Sequence, residues 1–247
     1  MKAMIFAAGL GTRLRPVTND RPKALVEVGG YTLLELTLRR LMAFGYTEFV
    51  VNIHHYADQI AAFLQKNHNF GAAIHLSDER QQLLDTGGGL KKAQQWLKGG
   101  DSFLVHNVDV LTNLDLLALK RAHDASGALA TLAVKERETS RYLLFDQLGM
   151  LSGWRNARTG AERISRAVDG AIPLAFSGVQ YVHPRLFDYM PEADVFSVIE
   201  VYLHAARTVK IAGYRHEGSL WMDVGKPAAL EAAAAWAAEL AAANFKR

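Results

Sequence analysis

Apolar and polar positions along this chain come in blocks whose period changes. Lys2 to Ala7 is a short apolar run of the kind a buried strand requires, and it stops at a glycine-rich turn. From Thr32 to Phe44, Leu34, Leu38, Leu41 and Met42 recur at helical spacing, with Gly45 as the C-terminal stop. Glu48 to Ile53 reads as a strand, and Ala57 to Lys66 as a helix that aligns Ile60, Phe63 and Leu64. Ala72 to Leu76 predicts a third strand, Thr86-Gly87-Gly88-Gly89 opens another helix, and Ser102 to His106 predicts a central strand ending at Asn107-Val108-Asp109. Strands alternating with helices of this length are βαβ units. The predicted fold is α/β, a Rossmann-like mixed, mainly parallel sheet flanked by helices. Such sheets hold ligands at the carboxyl ends of their strands, where the Gly9–Arg15 turn and Asp109 both fall.

The second half is more mixed. Leu129 to Val134, Tyr142 to Asp146 and Leu151 to Arg155 read as strands, the last two as a hairpin across Gln147-Leu148-Gly149. Leu174 to Val182, Val209 to Gly213 and Leu220 to Asp223 add three more. Gly153 to Pro173 is polar and irregular, as a loop over a pocket would be. Pro227 to about Asn244 is alanine-rich and helical, with Pro227 suited to the first turn. No linker, low-complexity tract or long repeat interrupts the chain, so one continuous domain over 1–247 is expected.

Composition narrows the chemistry. The chain has 247 residues, 50% hydrophobic and 21% charged, which is ordinary for a globular protein and excludes disorder. It has no cysteine, which excludes a disulfide scaffold, a cysteine nucleophile, a thiolate zinc site and a thiol redox centre. Lys+Arg number 28 against 25 Asp+Glu, a formal charge of +3, and no run of like charges suggests a nucleic-acid tail. No apolar stretch approaches the ~18 residues of a membrane span. The short N-terminal apolar run is followed by Arg13, Arg15, Arg21 and Lys23, unlike a signal peptide. A cytoplasmic protein with neither nucleic acid nor membrane as partner is expected; no feature fixes an oligomeric state.

The strongest local signal is Ala7-Ala8-Gly9-Leu10-Gly11-Thr12-Arg13-Leu14-Arg15-Pro16, followed by Thr18, Pro22 and Lys23. A glycine-rich turn after a strand lets backbone N–H groups approach phosphate oxygens, while Arg13 and Lys23 supply charge. The dinucleotide fingerprint fails at Leu14, and no Gly-Lys-Ser/Thr tripeptide marks a Walker A loop. A tight strand exit explains the glycines but not the crowding of arginines, Thr12 and a Pro-Lys pair beside them. His54-His55 with Asp58 reads as a surface or pocket-edge group, and His106 as a core residue. Asp78-Glu79-Arg80 and Lys135-Glu136-Arg137-Glu138 read as solvated charged runs.

The pattern Gly9, Gly11, Thr12, Arg13, Pro16, Thr18, Pro22 and Lys23 resembles the signature of the sugar-1-phosphate nucleotidylyltransferases, or NDP-sugar pyrophosphorylases. The resemblance continues through Thr86 to Gly89, Asn107 to Asp109, Phe176-Ser177-Gly178 and Trp221 to Gly225, and in its lean length the chain is similar to the compact bacterial N-acetylmuramate 1-phosphate uridylyltransferase type. It implies the nucleotide-diphospho-sugar transferase fold, with residues 1–110 as a nucleotide-binding half and 111–247 as a sugar-binding half. It also implies that Gly9, Gly11, Thr12 and Arg13 cradle the triphosphate and that Lys23 neutralises charge near the α-phosphate, with Arg13 and Lys23 as the catalytic pair. Gly87 and Gly88 would pack against the base, and Asn107, Arg141, Ser177 and Gly178 would serve the sugar phosphate. Asp109 and Asp223 would hold Mg²⁺. The implied substrates are an NTP, UTP favoured, and a sugar 1-phosphate.

Two departures stand out: Val108 replaces the family's usual glycine before the metal aspartate, and the Glu-Lys-Pro motif of larger members is missing. The expected reaction is in-line attack by a sugar-phosphate oxygen on the α-phosphorus, which requires positioning and charge relief rather than a protein nucleophile. A metal-dependent glycosyltransferase of the same fold and a non-catalytic sugar-nucleotide-binding regulator remain as rivals. The Gly-Thr-Arg loop with Lys23 weighs against the first, and the intact Arg13, Lys23, Asp109 and Asp223 against the second.

Overall fold

The computed structural model describes residues 1–244. In chain order the elements are β1 (Lys2–Phe6), β2 (Glu27–Val28), β3 (Tyr31–Thr32), α1 (Leu33–Ala43), β4 (Glu48–Ile53), α2 (Ala57–Lys66) and β5 (Ala73–Asp78). Then come α3 (Asp85–Lys92), α4 (Gln94–Leu97), β6 (Phe103–Asn107), β7 (Val110–Thr112), α5 (Leu116–Ser126), β8 (Ala130–Lys135), β9 (Arg141–Phe145) and β10 (Leu151–Asn156). β11 (Glu162–Ile164), β12 (Ile172–Val182), α6 (Val198–Ala205), β13 (Ile211–Arg215), β14 (Trp221–Asp223) and α7 (Leu230–Asn244) complete the chain. They fall into two compact units. The first holds Met1–Leu83, His106–Asn113 and the chain from Leu220 onward, and the second holds Leu84–Val105 and Leu114–Ser219.

In the first unit β1, β4 and β5 are parallel neighbours, with Phe6 opposite Asn52 and Asn52 opposite Ser77. Ala3, Met4 and Ile5 of β1 and Phe49, Val50 and Val51 of β4 are buried, as strands covered on both faces must be. Thr32 caps α1 by accepting the Glu35 N–H at 3.1 Å, and the helix buries Leu33, Leu34, Leu38 and Leu41. Each such leucine contributes about 1.5–3 kcal/mol. β7 pairs antiparallel with β14, which sets Asp223 opposite Val110. The alanine-rich α7 buries Ala233 and Ala237 and runs so close to the β2–β3 turn that a Cβ on Gly29 would meet the Ala234 carbonyl oxygen at 2.7 Å. Small residues on both sides permit that approach.

In the second unit β8 lies antiparallel to β12 and parallel to β13, and β9, β10 and β11 form an antiparallel meander beyond β12. The register of β12 shifts between Phe176 and Gln180, a bulge that contains Ser177 and Gly178. α5 is capped by Asp115, which accepts from Leu117 and Ala118 N–H at 2.9 Å, and α6 is capped by Ser197.

The segment expected to be an irregular loop from Gly153 to Pro173 is more ordered than that. β10 runs on to Asn156 and β11 returns beside it. The polar sequence hid this because β11 is exposed throughout: the ribbon is held by cross-strand side chains, the Arg155–Glu162 ion pair and Arg163 over the Trp154 ring at 5.6 Å. The C-terminal helix also starts later than expected, after a 3-10 turn over Pro227–Ala229. Among the described residues no helix is long and apolar enough to cross a membrane.

Three buried histidines, His106, His123 and His216, are each pushed down to about 4, in every case chiefly by burial, which disfavours the charged ring. Between pH 6.5 and 4 the unfolded chain therefore binds protons at these rings that the folded chain does not. Stability rises with pH through this window and is lost on acidification, by about 1.4 kcal/mol per pH unit for each histidine. Urea unfolding from pH 7 to 4.5 should show this slope, and His216→Asn should flatten it by about one proton. An unchanged slope in the variant would contradict the assignment.

Candidate active site

The loop after β1 is built from its backbone outward. Gly11 adopts φ +64°, and a Cβ there would press on Lys23 Cβ and Thr18 Cγ2 at 3.1 Å, so glycine is required by both conformation and space. The Gly11 carbonyl accepts from Thr18 Oγ1 and from Leu14 N–H, both at 2.9 Å. Thr18 and Leu14 are buried beneath the loop, whereas Gly9, Thr12, Arg13 and Arg15 are exposed. Gly9 faces open space, with no atom of the described residues within 4 Å of where a Cβ would lie. The turn thus presents bare backbone and two guanidinium groups.

Lys23 starts a 3-10 turn after Pro22 and is only 8% exposed. Its ammonium forms an ion pair with Asp109 Oδ2 across 86 positions of sequence. Asp109 follows the end of β6. Its carbonyl accepts from Val224 N–H at 2.9 Å, while Val108 N–H donates to Phe6 O at 3.1 Å. The two candidate metal aspartates are therefore carried on adjoining stretches of the β7–β14 ribbon. A Cβ on Gly225 would sit 2.5 Å from Asp223 Oδ1 and 3.0 Å from Arg13 Nη2. Arg13 and Asp223 thus converge on the same point, which only a bare glycine leaves clear. Asn107, half-buried, ends β6, and its carbonyl is bonded to His106 Nδ1 at 2.8 Å.

Among the described residues no three His, Asp or Glu side chains gather into a group that could hold a metal ion. Two carboxylates suffice for Mg²⁺, which prefers hard oxygen donors and commonly takes one or two carboxylates together with substrate phosphates. Asp109 and Asp223 fit that donor set, and the Lys23 ammonium against Asp109 shows that the site already accommodates a cation.

One supporting residue was missed in the sequence. Glu79 is not solvated: it is 1% exposed and accepts from Asn52 Nδ2 at 2.7 Å. Asn52 Oδ1 in turn accepts from Ala7 N–H at 2.7 Å and Ala8 N–H at 3.3 Å. The carboxyl ends of β1, β4 and β5 are tied together immediately before the glycine-rich loop begins. A polar Asn52 inside the apolar run Phe49–Ile53 was the available signal. His54 Nδ1 bonds to the Glu79 backbone oxygen at 2.7 Å, and Asp58 pairs with Arg80 at 3.1 Å, so neither approaches a ligand-type cluster.

In the second unit Gly87 and Gly88 lie buried in α3, and both N–H groups donate to Phe196 O, at 2.8 and 3.2 Å. Side chains there would collide with Phe196 and with the Asp194 carbonyl. Ser177 is 1% exposed, its hydroxyl engaged by His216 Nε2 at 2.8 Å. Arg141 is exposed at the start of β9. The charged run from Lys135 is also not simply solvated: Lys135 Nζ donates to Glu217 O at 2.9 Å and Arg137 Nη2 to Phe176 O at 2.9 Å, which joins the end of β8 to the bulge.

Residues 2–144 match the nucleotidyl transferase family. An N-acetylmuramate alpha-1-phosphate uridylyltransferase of Caulobacter vibrioides is 37% identical over 249 residues, covering 96% of this chain and 97% of its own. One from Neisseria meningitidis serogroup B is 34% identical over 238 residues, covering 96% and 98%. The structure of an inositol-1-phosphate CTP transferase from T. maritima superposes with a TM-score of 0.78 at 18% identity, over 97% of this chain and 96% of that one. The fold, a mixed, mainly parallel sheet flanked by helices, is that of the nucleotide-diphospho-sugar transferases.

Asn52→Asp sets a second carboxylate against Glu79 in a buried place, which holds one proton on the pair well above the ordinary carboxylate range. The folded variant then keeps a proton that its unfolded chain releases, so its stability relative to the parent falls as pH rises. Urea unfolding at pH 5 and 8 should show the deficit widening with pH. A pH-independent deficit would mean that the two side chains do not share a site.

Proposed function

This chain belongs to the nucleotidyl transferase family, and we propose that it transfers the uridylyl group of UTP to N-acetylmuramate 1-phosphate with release of pyrophosphate. It is a nucleotidyltransferase; the choice of base and sugar rests on the two uridylyltransferases matched over nearly their whole length. The observation that carries the chemistry is the convergence at the strand ends of two cations and two carboxylates, Lys23 paired with Asp109, and Arg13 and Asp223 both drawn up to Gly225.

In this reading a sugar-phosphate oxygen attacks the α-phosphorus, the bond to the β-phosphate breaks, and pyrophosphate departs in line. The exposed backbone of Gly9, Gly11 and Thr12 cradles the triphosphate. Arg13 neutralises the charge that grows on the departing pyrophosphate. Lys23 turns from Asp109 to the α-phosphate, where charge spreads in the transition state. A Mg²⁺ ion bound by Asp109 and Asp223 would supply further neutralisation of the phosphate oxygens. On the second unit Arg141 takes the phosphate of the sugar in place of the missing lysine motif, and Ser177 and Gly178 shape β12 for the sugar, the Ser177 hydroxyl being held by His216. Asn107 belongs to the same role by its place at the end of β6. Gly87 and Gly88 serve the base through the position they fix for α3 rather than through free N–H groups.

Pyrophosphate release, measured with Mg²⁺ present, should be fastest for UTP with N-acetylmuramate 1-phosphate. A faster reaction with GTP and mannose 1-phosphate would overturn the choice of substrates. Arg13→Ala and Lys23→Ala should each lower turnover by ~10²–10³. Gly225→Ala should also lose activity while keeping its melting temperature. Near-normal rates in all three would show that the loop is only a turn.

A further inference from the structure

On the second unit, a cleft of about 410 Å³ opens where α5 ends, β8 and β13 begin and β12 ends. It lies at the opposite end of β8 from His216. Ala130 of β8 pairs with Val182 and Ile211 at the cleft, while Lys135 pairs with Ala175 at the other end, beside the bulge. His216 follows Arg215 at that far end, five positions or roughly 16 Å along β8, and the bulge with Ser177 lies opposite Leu132 to Val134, two to four positions or roughly 7–13 Å away.

Charge at the cleft is positive and unspent. Arg185 and Lys210 are exposed on its rim, and among the described residues neither side chain makes an ion pair. Asp124, the carboxylate on the same rim, is paired with Lys120 at 2.6 Å. His183 Nδ1 accepts the Arg185 N–H at 3.1 Å, which leaves the proton of the neutral ring on Nε2 and makes that nitrogen a donor. His123 is buried at the edge of the cleft with Nε2 bonded to Ser102 Oγ at 2.9 Å and Nδ1 to Thr131 Oγ1 at 3.0 Å.

Two unpaired cations beside an N–H donor suit a phosphate group, since charge-assisted hydrogen bonds to phosphate are among the strong ones. The volume lies within the ~300–1,000 Å³ usual for small-molecule sites. Among the described residues no Phe, Tyr or Trp lines the cleft, so a nucleobase would find only the smaller His183 ring to stack on. The Ser102 hydroxyl and the Asp124 carboxylate instead offer partners to sugar hydroxyls. We propose that this cleft is a ligand site in its own right, taking a small phosphorylated sugar.

Titration of the ¹⁵N-labelled full chain with glucose 6-phosphate tests this. Saturable amide shifts are expected at Gly127, His183, Arg185 and Lys210. The Arg185→Ala/Lys210→Ala double variant should bind about tenfold more weakly or worse, the loss expected when charged hydrogen-bond partners are removed. Its rate of pyrophosphate release should be unchanged. AMP, which carries the same phosphate on a nucleoside, should shift these amides less at equal concentration. Absence of shifts at these four residues, or equal affinity in the double variant, would overturn the site. AMP binding as tightly as glucose 6-phosphate would overturn its assignment to a sugar.

Discussion

The first unit depends on the ion pair between Lys23 and Asp109. A buried ammonium is stable only beside a countercharge, because removing one partner leaves the other desolvated and unpaired. Satisfying Lys23 therefore brings the segment after Pro22 against the turn that follows β6. The same lysine lies under Gly11, whose left-handed conformation and lack of side chain are what let the loop pass over it. Loop, lysine and aspartate form one unit, although they are distant in sequence.

Around that pair the site is close to electrically balanced, with Arg13 and Lys23 set against Asp109 and Asp223. A nucleoside triphosphate with one divalent cation is still a net dianion, so its arrival would tip that balance negative and leave Arg13 and Lys23 with charge to neutralise. Preorganisation comes from behind. Asn52 spends its carbonyl on the N–H groups of Ala7 and Ala8 and its amide on Glu79, so the first residues of the loop are fixed by the sheet rather than by the ligand. Donors held in this way need little reorganisation as charge develops, which is the main source of electrostatic catalysis.

β1 and β4 were legible because they are buried on both faces and read as apolar runs, whereas the two-residue strands β2 and β3 are too short to leave a period in sequence. The Gly9–Lys23 signature was legible as a family mark because it sets particular residue types at fixed spacing, and the chain does belong to the nucleotidyl transferase family. Glu79 was not, since a buried carboxylate in an acidic-basic run looks like a solvated one until its partner Asn52 is seen. α5 and α6 also escaped, although Asp115 and Gly127 bracket the first and Ser197 begins the second. Their caps were present, but no strong apolar period drew the eye to them. β11 is held by Arg155 and Arg163 contacts, which have no period in sequence. Gly87 and Gly88 carried a familiar pattern, and only the approach of Asp194 and Phe196 shows what packing demands of them.

The proposed chemistry turns on Lys23 exchanging its partner, and its ammonium can be observed directly. In ¹⁵N-lysine NMR of the full chain without ligand, the Lys23 Nζ protons should be in slow exchange and correlate with the Asp109 carboxylate. With UTP and Mg²⁺ at saturation, that correlation should give way to a coupling between Lys23 Nζ and a ³¹P nucleus. A Lys23–Asp109 correlation that persists unchanged, with no coupling to phosphorus, would contradict it.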